Sequence, residues 1–152
     1  MATKRELTQA DDRAWATFLE TVESLNDEQL IEVGYYPDEG WSVKDLIAHI
    51  GFWMTEAANQ LERMRFGTYV PNTAEADLLN TQCFEANHDV PLPIVRAECF
   101  AAHTRMCQEL DALPDLDGEA EEWFSESADR HYGEHQPRLE EWVAELRSRA
   151  GS

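Results

Sequence analysis

Three histidines are the residues of this 152-residue chain best placed by type and spacing to do chemistry: His49, His131 and His135. His131 and His135 stand i, i+4 in HYGEHQPRLEEW. On a helix they share a face, with Cβ atoms roughly 5–6 Å apart. Two imidazoles so placed can bind one metal ion at about 2.0–2.1 Å. His49, in WSVKDLIAHIGFW, follows Leu46 by three residues and precedes Trp53 by four, on the flank of an apolar helical stripe. Added from a second helix, it completes a three-histidine set with a coordination position left open, the mark of a catalytic rather than a structural site. The same residues also fit core or boundary histidines satisfied by hydrogen bonds.

An open position takes water, whose pKa an ion lowers towards about 7, or a low-molecular-weight thiol bound as thiolate. Candidate proton-transfer groups are Glu134, Glu56 and Tyr132. Asp45, one turn before His49, has the spacing to orient that imidazole, although a helix-capping role already accounts for it. Trp41, Phe52 and Trp53 are candidates for a pocket wall beside His49. HYGEH also satisfies H-x-x-E-H, but Gly133 and Pro137 spoil the straight helix a protease motif needs. Cys99, His103 and Cys107 form an i, i+4, i+8 line. Its cysteines lie about 12 Å apart along a helix axis, so they cannot share one ion and read as core thiols beside a boundary histidine. His88, in ANHDVP, reads as a solvated loop residue.

Four long helical patterns position these residues. The first, about Thr8 to Leu30, carries the stripe Trp15, Phe18, Val22, Leu25 at a 3.6-residue period. GYYPDEG reads as a turn. The second helix opens on Ser42 as N-cap with Asp45 as its capping-box partner. It continues through Ile47, Ile50, Trp53, Ala57, Leu61 and Met64 and stops at Gly67. The connector from Thr68 to Leu92 exceeds the roughly 2–8 residues usual in bundles. It is expected to hold a short helix around Ala74–Ala86. The third helix starts near Pro93 and ends before Pro114. The last carries Leu139, Trp142, Val143 and Leu146. Pro137 requires that this helix either begin near Glu134 or tolerate a kink. DLDGEAEE has the composition to open a further short helix. The expectation is an all-α, four-helix-bundle domain spanning residues 1–152, with a long connector between the second and third helices.

Composition narrows the partners. Thirty-one acidic against 12 basic residues give a formal charge of −19. Such a surface repels phosphate backbones and anionic lipid, which excludes nucleic acid and membrane as expected partners. No apolar run approaches the roughly 20 residues that span a bilayer. The polar start MATKRELTQADDR is not a secretory leader, so the expected location is cytoplasmic. Cys83, Cys99 and Cys107, an odd number without framework spacing, read as free thiols.

On these residues the chain resembles the DinB/YfiT-like superfamily of metalloenzymes. GWSVKDLIAHIGFW looks like its W-S-x-x-x-x-x-x-H segment, with Trp41, Ser42 and His49. HYGEHQPRLEEW looks like its H-x-x-x-H segment, with His131 and His135. The H-Y-x-E-H form with a following Trp is similar to the ClbS/DfsB-like branch. The resemblance covers nearly the whole chain. It implies a four-helix bundle, often a homodimer, with a divalent ion, commonly nickel or zinc, on His49, His131 and His135. Relatives include thiol-dependent S-transferases, a mycothiol-dependent maleylpyruvate isomerase and a colibactin-resistance protein that opens a cyclopropane. The expected function is therefore a metal-dependent hydrolase or thiol S-transferase acting on a small molecule. The rivals are a metal-independent small-molecule-binding protective protein and a purely structural bundle.

Overall fold

Residues 1–71 and 75–151 are described by the structure, a computed structural model. Seven helices occur among them: α1 (Lys4–Glu23), α2 (Asp27–Ile31), α3 (Val43–Phe66), α4 (Ala76–Asn87), α5 (Leu92–Ala112), α6 (Gly118–Ser127) and α7 (Asp129–Ala150). α1, α3, α5 and α7 are the long ones, at 20, 24, 21 and 22 residues, and form the expected bundle. The short α2, α4 and α6 occupy the connections. The described residues contain no strand, only an isolated antiparallel bridge between Tyr36 and Trp41.

Local chemistry sets the boundaries. α3 starts and stops where expected. The Ser42 side chain accepts from the Asp45 backbone N–H, Asp45 reaches back to the Ser42 N–H at 2.8 Å, and Gly67 ends the helix with φ +73°. The expected first helix divides in two. A Thr3–Glu6 capping box starts α1 before Thr8, and a second box, Asn26 with Gln29, opens α2 as a separate turn. Asn26 competes for its neighbours' backbone groups, so the helical period that continues through Leu25 does not carry the helix with it. α4 covers the expected connector helix, whose proposed first residue, Ala74, lies outside the described residues. α6 begins at the Asp117 N-cap, whose side chain accepts from Ala120 N–H at 2.8 Å.

α7 settles the question posed by Pro137. The proline lies inside the helix, four residues after the exposed Gly133, and His131 and His135 are both within the helix. The carbonyl that Pro137 leaves without a helical donor belongs to an exposed residue, where water can satisfy it, so the helix tolerates the proline.

One contiguous core fills the bundle, with Phe18, Leu46, Ile50, Met54, Leu61, Met106, Leu110, Phe124 and Leu139 all fully buried. Each such side chain contributes about 1.5–3 kcal/mol of apolar burial. α3 packs most extensively on α5, and α1 packs on α7. Gly51 permits the close α3–α5 approach, since a Cβ there would stand 3.2 Å from Cys99 Cα. α3 and α7 touch far less, and the histidines lie where these two helices face each other.

Candidate metal centre

His49 on α3 and His131 and His135 on α7 come together as a buried cluster. One ring nitrogen from each lies within 4.8 Å of the others. The Nε2 atoms of His49 and His131 face each other at 2.9 Å, close enough for both to reach one ion at about 2.0–2.1 Å. His135 turns Nδ1 to the Tyr35 hydroxyl at 2.9 Å and the Tyr36 hydroxyl at 3.2 Å, which leaves its Nε2 for the cluster. Burial disfavours the charged rings. It lowers His49 to about 2, with His131 and His135 adding repulsion. It lowers His131 to about 3, helped by His135, and His135 to about 4. All three are therefore neutral at pH 7, the protonation state that ligates metal. Three neutral nitrogen donors from facing helices suit a divalent ion.

Tyr35 and Tyr36 were hidden in what reads from sequence as a turn. Tyr35 is fully buried, and burial, with Tyr36 alongside, raises its phenol well above the ordinary value, so it stays protonated. Two hydrogen-bond patterns fit its position. Either the Tyr35 hydroxyl donates to Nδ1, or Nδ1–H donates to the phenol oxygen, whose own hydrogen reaches the His135 carbonyl at 3.4 Å. The second pattern frees the Nε2 lone pair for metal. The loop is held on α7 by Arg138, one turn after His135. Its Nε donates to Tyr35 O at 2.7 Å and its Nη2 to Gly34 O at 2.8 Å. Gly34 is required there because a Cβ would meet the Trp142 ring at 2.3 Å. His49 Nδ1 and His131 Nδ1 are buried without a hydrogen-bond partner among the described residues, which among the three rings fix the outer nitrogen of His135 alone.

The cluster floors a pocket of about 490 Å³ lined by residues of α3, α4, α6, α7 and the Tyr36–Trp41 loop. Trp41 and Trp53 line it as expected, while Phe52 faces another depression. Trp123, Tyr36, Asn80 and Glu126 join them, residues that sequence periodicity assigned no role. Trp53 Nε1 donates to Asn80 at 2.7 Å and Trp123 Nε1 to Tyr69 at 3.2 Å, fixing two indoles of the wall. A larger depression of about 730 Å³ between α1 and α7 is lined by Thr17, Glu20, Glu140 and Arg147 and holds none of the histidines. The 490 Å³ pocket is the one that holds all three histidines.

Of the candidate proton-transfer groups, Glu134 lines the pocket and is exposed, whereas Glu56 does not line it. Tyr132 is buried on the other side of α7, where its hydroxyl donates to Asp11 at 2.9 Å, so it is unavailable to a substrate. Asp45 does not orient His49. Its oxygens take the Ser42 N–H and hydroxyl and meet His88 Nδ1 at 3.2 Å. His88 is accordingly a half-exposed partner of Asp45 and not a free loop residue. The three cysteines are unpaired. Cys99 and Cys107 do not converge, as expected; Cys107 and His103 instead meet Asp11.

A model of the DinB superfamily matches residues 10–146. A crystal structure of an uncharacterised protein from Escherichia coli UTI89 superposes with a TM-score of 0.80 at 15% identity, over 95% of each chain. That likeness establishes a shared fold. No curated protein matches the chain. None of the described helices is long and apolar enough to cross a membrane.

Proposed function

The chain belongs to the DinB superfamily, and from the buried cluster it carries we propose that it is a metal-dependent enzyme acting on a small molecule, with His49, His131 and His135 as ligands. The convergence of three neutral imidazoles at the floor of an aromatic-walled pocket supports this reading. A divalent ion bound there, nickel or zinc, supplies a Lewis acid with an open coordination position. Hydrolysis and transfer of a low-molecular-weight thiol are the two reaction classes that use it.

The chain's own residues do the rest. Trp41, Trp53 and Trp123 cover a bound substrate and reduce water around it. Tyr35 holds the His135 ring in one orientation. Glu134, at the pocket edge beside His135, is placed to take or return a proton. The proposed working form is a cytoplasmic homodimer. Its free cysteines fit a reducing compartment, and light scattering tests the dimer.

The test is to reconstitute the chain with nickel or zinc and assay ester or amide hydrolysis and thiol transfer to electrophiles. Turnover should require metal and vanish in His135→Ala. The rival reading is a metal-independent protective binder. It is favoured by the fact that the His49–His131 contact at 2.9 Å also serves as a hydrogen bond between two neutral rings. That reading requires ligand affinity to survive both chelation and His135→Ala.

A further inference from the structure

A second cluster of ligand-type side chains lies away from the histidine pocket, between α1 and α5. Asp11 Oδ2 stands 2.8 Å from His103 Nε2 and 3.5 Å from Cys107 Sγ, and that sulfur is 3.7 Å from the same nitrogen. A triangle with these sides has its centre about 2 Å from each corner, close to the roughly 2.0–2.3 Å of Zn–O, Zn–N and Zn–S bonds. Carboxylate, imidazole and thiolate together are a donor set suited to zinc.

The surroundings are built like those of a metal site. Asp11 is fully buried, and no lysine or arginine pairs with it among the described residues. Its partners are a phenol, a thiol and an imidazole, none of them a fixed cation, and a bound divalent ion would supply the countercharge that a buried carboxylate calls for. The Tyr132 hydroxyl donates to Oδ1 at 2.9 Å, which fixes the carboxylate and leaves Oδ2 for a ligand. Trp15 stacks on the His103 ring with centroids 4.1 Å apart and an interplanar angle of 5°, locking its direction. His103 and Cys107 are only partly buried, which gives an ion a way in from solvent.

We propose that Asp11, His103 and Cys107 form a second, thiolate-containing site for a divalent ion of the zinc type, separate from the three-histidine cluster. On loading, the Cys107 S–H bond breaks as the sulfur–metal bond forms, and the proton passes to water. His103 binds through the Nε2 lone pair, with its hydrogen on Nδ1. A doubly charged ion then neutralises the buried carboxylate and thiolate together. The site joins α1 to α5 and, through Tyr132, reaches the residue next to His131.

Cobalt(II) titration of the full-length protein, read by absorption and by elemental analysis after desalting, tests this. Thiolate ligation gives a near-ultraviolet sulfur-to-cobalt charge-transfer band, which a three-histidine site cannot give. The wild type should show the band and retain one equivalent through this site. Cys107→Ser should lose both the band and that equivalent. His49→Ala should keep both, so failure of one site is distinguishable from failure of the other. His103→Gln provides a second variant if Cys107→Ser does not fold. No band in folded wild type, or a band that survives a folded Cys107 or His103 variant, overturns the proposal.

Discussion

The Tyr35 hydroxyl lies 2.9 Å from His135 Nδ1, across 100 residues of sequence. It belongs to a loop that Arg138 ties to the same helix as the histidine, by bonds to the Gly34 and Tyr35 carbonyls. His135 thus carries its own orienting group, delivered by a side chain one helical turn away. Removing the hydroxyl in Tyr35→Phe should leave a folded protein whose metal affinity falls by about 10–100-fold, the usual effect of losing an outer-shell partner. Competition with a chromogenic chelator measures it, and an affinity within twofold of wild type would show that Tyr35 does not position the ligand. In the metal-bound wild type, nitrogen NMR should place the His135 hydrogen on Nδ1.

Gly34 lies under the Trp142 ring, where an added Cβ would approach to 2.3 Å. Gly34→Ala should destabilise by about 1–3 kcal/mol through overpacking. It should also weaken metal binding, because the loop that carries Tyr35 must move. Urea unfolding and metal competition read the two effects. Unchanged stability would mean that Trp142 repacks freely.

Pro137 costs α7 the backbone hydrogen bond to the carbonyl of the exposed Gly133. Pro137→Ala should stabilise the protein by about 1–3 kcal/mol, within the helix-interior penalty for proline, and leave metal content unchanged. A loss of stability on denaturant unfolding would show that a proline-induced bend is needed for packing.

The buried histidines make stability sensitive to acid. Their folded pKa values, about 2, 3 and 4, lie below the ordinary 6.5, so below pH 6.5 the unfolded chain takes up protons that the folded one refuses. The contribution is whole above pH 6.5 and is lost as pH falls towards the folded values, by roughly 1.4 kcal/mol per pH unit for each histidine. Urea midpoints of the apo protein should therefore drop steeply between pH 6.5 and 5. His49→Gln should drop less steeply. Equal slopes in the two proteins would contradict the burial of neutral rings.

Much of this was legible in the residues themselves. Ser42, Asp45 and Gly67 define α3 by local hydrogen bonding, and that signal survives into the fold unchanged. His49, His131 and His135 stand out because each interrupts an apolar stripe. Tyr35, Tyr36 and Arg138 do not, since their roles depend on a loop folding back onto a helix about 100 residues later. The division between α1 and α2 is likewise masked, because Leu25 continues the apolar period while Asn26 breaks the backbone pattern. The roughly 12 Å that helix geometry sets between Cys99 and Cys107 already keeps the line Cys99–His103–Cys107 from holding one ion, and the structure does not bring the two sulfurs together. The line's meeting with Asp11 was invisible because the acid comes from another helix.

The most direct test of the central claim is metal content by elemental mass spectrometry on untagged protein beside His49→Ala, both checked for helicity. The account predicts that the variant folds and carries one divalent equivalent fewer than the wild type. Equal metal content in the two folded proteins, or none in either after reconstitution, would contradict it.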